Sequence, residues 1–197
     1  MMQQLLEFGD AVRGEIALLE RSMDLREAVV HLLVRRSDRA GAEPERWRVE
    51  ARGVRQFKIL FPEEVDSIRL AQQHPLLWTH HQDELELAFR GAVADPFGTI
   101  GRLQARHEAV AHGWIPFDAF LNTAAPLHKL LSSPAGMLAR GPRTLITAYQ
   151  DVLEQAGSAC SVLDQGRFPD ADADDAPKLL LLGKSYLVAT SFTADRR

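Results

Sequence analysis

The chain predicts an α+β fold: an antiparallel meander sheet in the N-terminal half, helices packed on one side, and a C-terminal hairpin that rejoins the sheet. Three observations carry this. Trp47, Val49 and Ala51, then Phe57, Ile59 and Phe61, recur at period two, the spacing of a strand with one buried face. Phe97, Ile100, Leu103, His107, Val110 and Trp114 recur every three or four residues, which lines one stripe of a helix. Gly183-Lys184 stands between the apolar runs 178–182 and 185–193, the two-residue loop of a tight hairpin. Strands, helices and strands again describe a single domain over 1–197. It is mainly β over 1–92, mainly α over 93–157 and a β hairpin over 158–197. A split near residue 93 is the alternative, and it would leave the last strands without a sheet to join.

The elements follow in chain order. Residues 2–8 read as one or two helical turns, and Glu15–Glu20 as a short strand. Glu27–Arg36 holds Val29, Val30, Leu32, Leu33 and Val34, apolar on both parities, as in a strand covered on both faces. Gly41 and Pro44 mark a polar turn. In the strand opened by Trp47, Gly53 marks a bulge or sharp bend, and Pro62 ends it. Ile68 and Leu70 begin another strand, and Leu85, Leu87 and Phe89 alternate with Glu84, Glu86 and Arg90 in the next. Short turns between such strands favour antiparallel pairing. Asp95-Pro96 is an N-cap followed by proline at the first helical position, and Gly113 a helix stop. Residues 115–122 read as a turn or short helix, and 124–140 as a helix broken by Pro134 and Gly136. Pro142 opens a stronger helix, with Leu145, Ala148, Tyr149, Val152 and Ala156 on one side and Gly157 closing it. Ser158–Leu163 reads as a short buried strand.

Composition bounds the function. With 197 residues, a net charge of −4, 46% hydrophobic and 25% charged residues, the chain has the profile of an ordinary globular protein. The charge gives no general attraction to phosphate backbones, so no nucleic acid is expected as a partner. The longest aliphatic run, Leu179–Leu182, is far short of the ~20 residues of a membrane span, and residues 1–8 lack the pattern of a secretory signal. One cysteine, Cys160, forms no disulfide within the chain and fits a reducing, cytoplasmic setting. Nineteen arginines against four lysines fit a bacterial source. Residues 63–100 carry seven acidic and two basic side chains. They read either as a solvated face or as a negative patch that steers a basic partner.

Several motifs fail on their chemistry. Lys178–Ser185 has the Gly-Lys-Ser ending of a phosphate-binding loop, but Lys178 stands where that loop needs glycine. His107-Glu108 and His112 are five apart, whereas a zinc-binding helix needs histidines four apart to aim both rings at one ion. The alternating Asp170, Asp172, Asp174 and Asp175 lack the glycine and the bidentate glutamate of a calcium loop. Cys160 has no recognisable partner base nearby in sequence. No metal or cofactor is expected.

One connector stands out. His74-Pro-Leu-Leu-Trp-Thr-His-His-Gln-Asp83 links two strands and carries Trp78, His80 and His81, with Asp83 and Glu84 following. Tryptophan anchors interfaces, and paired histidines beside carboxylates can hold a metal or exchange protons. The plainer alternative is that Leu76, Leu77 and Trp78 plug the sheet while the histidines face water. The expected function is a non-catalytic bacterial protein-interaction domain of the immunity or adaptor kind, which binds and occludes a protein partner. Trp78, His80, His81, Asp83 and Glu84 are its candidate binding residues. The alternative is a small metal-dependent or acid/base hydrolase built on the His80/His81 region. A ligand pocket lined by Trp47, Phe57, Phe89 and Trp114 is a third reading, although such aromatics ordinarily pack as core.

Overall fold

The computed structural model describes residues 2–11, 14–23, 27–36, 43–60, 64–65, 67–168 and 176–197, with the backbone course alone over 7–11, 14–23, 36 and 64–65. The first elements are α1 (Met2–Ala11), β1 (Gly14–Met23), β2 (Glu27–Arg36), β3 (Glu45–Lys58), β4 (Glu64–Val65) and β5 (Ile68–Ala71). Next come α2 (Trp78–His81), β6 (Asp83–Arg90), α3 (Pro96–Ala111), α4 (Leu127–Leu131) and β7 (Ala135–Pro142). The chain ends with α5 (Arg143–Gln155), β8 (Ala159–Arg167), β9 (Lys178–Leu182) and β10 (Ser185–Arg196). The protein is α+β, with an antiparallel β1-β2-β3 meander and a C-terminal hairpin paired to β3, as the sequence predicts.

The chain divides into two compact units. The first comprises Met1–Leu77 with Ala173–Arg197, and the second Trp78–Asp172. Where the sequence reading drew one domain, with residue 93 as the alternative boundary, contacts change hands at Leu77/Trp78. The second unit is thus an insertion in the chain of the first, and the final strands still reach the N-terminal sheet.

In the first unit seven strands run in the order β4-β1-β2-β3-β10-β9-β5, each pair antiparallel. The two edge strands, β4 and β5, are nearly consecutive in sequence. Val65 and Ile68 are three residues apart, so their Cα atoms lie within about 11 Å of each other. The two ends of the sheet therefore come close together at β4 and β5, which are two pieces of one stretch of chain. Its inner face is apolar by simple alternation: Ala28, Val30, Leu32 and Val34 from β2, and Trp47, Val49 and Ala51 from β3. Leu180, Leu182, Leu187 and Ala189 join them, and Leu5 of α1 is fully buried in the same cluster. Burying each such leucine contributes about 1.5–3 kcal/mol.

The bend expected at Gly53 is present. Gly53 has φ +63°, and a Cβ there would collide with the Thr190 hydroxyl. Beyond it the pairing of β3 with β10 slips, from Val54↔Ala189 to Gln56↔Val188, which leaves Arg55 as the extra residue. Phe57 returns opposite the core residue Leu187 but at the end of the packed region, and is 50% exposed. Ile59 packs on the core, and Phe61 lies outside the described residues. In the hairpin Ser185 pairs with Leu182 across Gly183-Lys184, with Gly183 at φ +61°. Glycine at the first loop position suits a turn that follows the strand twist.

The second unit is a three-stranded antiparallel sheet, β7-β6-β8, with its helices on one face. Leu85, Leu87 and Phe89 of β6 pack against Leu103 of α3, Leu131 of α4, and Leu145, Ile146, Tyr149, Val152 and Leu153 of α5. Three expectations need correction. The period-two pattern of β6 identified its buried face correctly, but β6 pairs with β7 and β8, not with the N-terminal strands. Residues 135–142 form a strand, where 124–140 read as a broken helix. Gly136 reads as a breaker, but a Cβ there would meet Leu130 and Phe89, and one at Gly141 would meet Phe120. Finally, β8 is exposed along almost its whole length, where a buried strand was expected.

Candidate functional site

Part of the connector between β5 and β6 is packed into the fold. Leu76 and Leu77 are buried, and Trp78 is half-buried against the core of the second unit. His80 is half-buried and His81 exposed on the single turn α2. Gln82 accepts a hydrogen bond through Oε1 from the Thr144 backbone N–H at 2.9 Å. Pro142, at the N-cap of α5, makes no side-chain capping bond, so Gln82 satisfies one of the donors that a helix start leaves open.

Asp83 and Glu84 are each paired. Arg143 of α5 donates to Asp83 at 2.8 Å, with Asp164 a more distant 3.5 Å from the same guanidinium nitrogen. Arg140 of β7 donates to Glu84 at 2.6 Å. The hydrogen bonds to Glu84 and Asp83 push the Arg140 and Arg143 guanidinium groups above their ordinary values. Asp95 caps α3, its carboxylate accepting from Gly98 N–H at 2.9 Å. Asp83, Glu84 and Asp95, three of the seven acidic residues over 63–100, are thus matched within the chain. Exposed pairs of this kind contribute little stability, but they do neutralise the surface locally. Glu63 and Asp66 lie outside the described residues, as do Asp170, Asp172, Asp174 and Asp175.

No three His, Cys, Asp or Glu side chains among the described residues come together as a metal-holding group. His107 and His112 part company. His112 caps α3 in the left-handed region, φ 52°, and is exposed. His107 is completely buried, with Nε2 2.7 Å from the Ile115 carbonyl and Nδ1 2.8 Å from the Tyr149 hydroxyl. A carbonyl oxygen only accepts, so Nε2 carries the proton. Burial pushes the Tyr149 phenol well above its ordinary value, and the protonated hydroxyl donates to Nδ1. Phe117 packs edge-on against both rings. Every polar atom of this set has its partner, as a buried group requires, and the set ties the 115–117 turn to α3 and α5.

Cys160 is half-buried on β8. Burial, and then the Glu154 charge, push its thiol up, which reduces the thiolate that nucleophilic attack requires. The aromatic residues of the pocket reading are also dispersed: Trp47 belongs to the core of the first unit and Phe89 to that of the second.

What sequence reasoning missed is β8. Cross-strand pairing with β6 sets its faces. Cys160, Val162 and Asp164 lie opposite Phe89, Leu87 and Leu85 on the helix side, and Ala159, Ser161 and Leu163 lie on the other side with Arg90, Ala88 and Glu86. Val162 is 36% exposed and Leu163 52%. Among the described residues β8 pairs with β6 alone. The opposite edge of the sheet is closed: Asn122 N–H donates to Leu138 O at 2.8 Å, Arg140 N–H to Phe120 O at 2.9 Å, and Leu121 forms a bridge with Ala139. Residues 159–163 carry no charge, proline or glycine, the usual protections of an open edge. The pairing with β6 shifts register between Asp164 and Arg167, around Gly166, φ +78°, whose N–H donates to Asp164 Oδ1 at 2.8 Å. Its apolar letters read as core because composition does not distinguish a covered strand from a bare one.

No helix among the described residues is long and apolar enough to cross a membrane. Comparisons with protein-family models, with curated proteins and with solved structures found no match for this chain.

Proposed function

We propose that this chain is a non-catalytic protein-interaction protein of the adaptor or immunity kind, acting in the bacterial cytoplasm, and that its docking element is β8 together with the helix-free face of the β7-β6-β8 sheet. The observation that carries this reading is the bare strand. Among the described residues the outer edge of β8 has no strand against it and carries two exposed apolar side chains, while the other edge of the sheet is covered by residues 120–122. A free edge of this kind adds a strand from a partner through main-chain hydrogen bonds, with side chains on alternate faces setting specificity. On the helix-free face Leu163, Ser161 and Ala88 lie beside the Glu84–Arg140 pair, with Glu86 opposite Leu163 and Arg90 opposite Ala159, an apolar strip bordered by charges of both signs. That arrangement favours a partner of mixed surface over a strongly basic one. Trp78, Asp83 and Glu84 support the sheet end and the start of α5, and His80 and His81 belong to the turn beside it.

Capture from the native host tests this. The wild-type chain is expected to retain a stoichiometric protein partner, and Val162→Asp with Leu163→Asp to lose it. Equal capture by both would contradict the reading, as would a protein that retains no partner at all.

A further inference from the structure

We infer that the strand paired to the edge of β8 is β8 of a second copy of this chain, antiparallel about a two-fold axis through Ser161. The inference rests on the reading of β8 as part of a protein-docking surface and names what covers its edge, leaving the helix-free face to the protein partner. A two-fold interface uses the same patch on both sides, so the patch has to be complementary to itself. An antiparallel pair around an axis normal to the sheet also keeps faces matched, because residues opposite one another share a face.

Centred on Ser161, the pairing meets both conditions with the uncharged stretch alone. Ser161 faces Ser161 of the second copy, where two hydroxyls can exchange a hydrogen bond. Cys160 faces Val162 on the helix side, twice, and Ala159 faces Leu163 on the other side, twice. The two exposed apolar residues of β8 are thereby both covered by apolar neighbours. Asp164, the first charge after the stretch, falls opposite Ser158, six residue steps from its counterpart, or about 20 Å. Shifting the axis to Val162 instead would set Asp164 against Cys160 and Leu163 against Ser161, a poorer match at both places. The bulge between Asp164 and Arg167 limits the regular paired length on one side, and Ser158, buried and bonded to Gly91 O, limits it on the other. The result is one six-stranded sheet, β7-β6-β8 continued by its two-fold mate, with a helix-free face twice as wide.

Sedimentation of the full chain from micromolar concentrations upward tests the register as well as the association. Wild type is expected to form dimers. Leu163→Lys and Ala159→Glu, each acting twice across the axis, are expected to weaken the dimer about tenfold or more. The double variant is expected to recover it, because the ammonium introduced on one copy would then face the carboxylate introduced on the other. A monomeric wild type overturns the inference, and so does a double variant no tighter than the singles. A monomer whose partner capture still depends on β8 would overturn self-pairing and leave the proposed function standing. A dimer with partner capture indifferent to β8 substitutions would do the reverse.

Discussion

The two sheets of this protein deal with their edges in different ways. In the first unit, β4 and β5 occupy the two ends of a seven-stranded order yet lie three residues apart in the chain, so the two ends of the sheet come close together. Ends that approach each other in this way leave less room for a further strand between them. In the second unit, one edge is covered by residues 120–122, and the other is left bare by the described residues over 159–163. Both units contain well-filled apolar clusters, so the difference is not one of packing quality. It lies in what each sheet leaves for another molecule: the first leaves a charged outer wall, with Arg48 and Arg52 flanking Glu50, and the second leaves a strand's worth of hydrogen-bonding capacity.

The sharpest way to break this comparison is to empty each core in turn. Leu187→Ala in the first unit and Leu87→Ala in the second each remove a fully buried side chain and are expected to cost about 2–5 kcal/mol. Amide exchange should then accelerate in the unit that carries the substitution. Equal acceleration in both units would show that they open as one cooperative body.

A smaller effect is expected at His107. His107→Phe keeps the ring volume but strands the Tyr149 hydroxyl and the Ile115 carbonyl in a buried place, at a cost of about 2–3 kcal/mol. Denaturant titration of the second unit measures it, and a change near zero would mean that the bonds at 2.7 and 2.8 Å add nothing net.

Tyr149 also predicts alkaline sensitivity. Its folded-state value is raised by burial, so above the ordinary tyrosine range near pH 10 the unfolded chain releases a proton that the folded chain retains. Stability from this source is complete below about pH 10 and declines as pH rises further. Burial also raises Tyr186 in the first unit, opposed by its bond from Gln56. Tyr149→Phe should flatten the alkaline decline of the second unit alone. A decline unchanged by that substitution would assign it elsewhere.

The smallest folding effect belongs to the most informative residues. Leu163→Lys changes a half-exposed side chain and should leave the stability of the monomer within about 0.5 kcal/mol, so any loss of association reflects the edge and not unfolding.

Much of the architecture was legible in the residues. Alternation at Trp47, Val49 and Ala51 named the inner face of β3, Gly53 named its bend, Asp95-Pro96 named the start of α3, and Gly183 named the hairpin. Each of these is local chemistry, written within a few positions. Partner choice is not local. Leu85, Leu87 and Phe89 disclose which face of β6 is buried but not which strands flank it, so its membership of a second sheet was hidden. Strand β7 was hidden because Gly136, Gly141 and Pro142 resemble punctuation; two of them are there to let Leu130, Phe89 and Phe120 approach. The surroundings of the candidate site were the least legible. Trp78, His80, His81, Asp83 and Glu84 are residue types that often bind ligands, and geometry gives Asp83 and Glu84 to arginines and Trp78 to the core. Ala159–Leu163, which looked like core, lies bare because α5 shields only Cys160 among the helix-facing residues of β8. That shielding depends on where a helix comes to rest, which no short stretch of sequence encodes.

Amide hydrogen exchange at the two edges of the three-stranded sheet is the most direct measurement of the central claim. In dilute protein, Arg140 N–H on β7, bonded to Phe120 O, should exchange slowly, while the outward amides of residues 159–163 on β8 exchange fast. The β8 amides should become protected as concentration rises. Slow exchange along β8 in dilute monomer, matching β7, would mean that the edge is already covered, and would contradict the account.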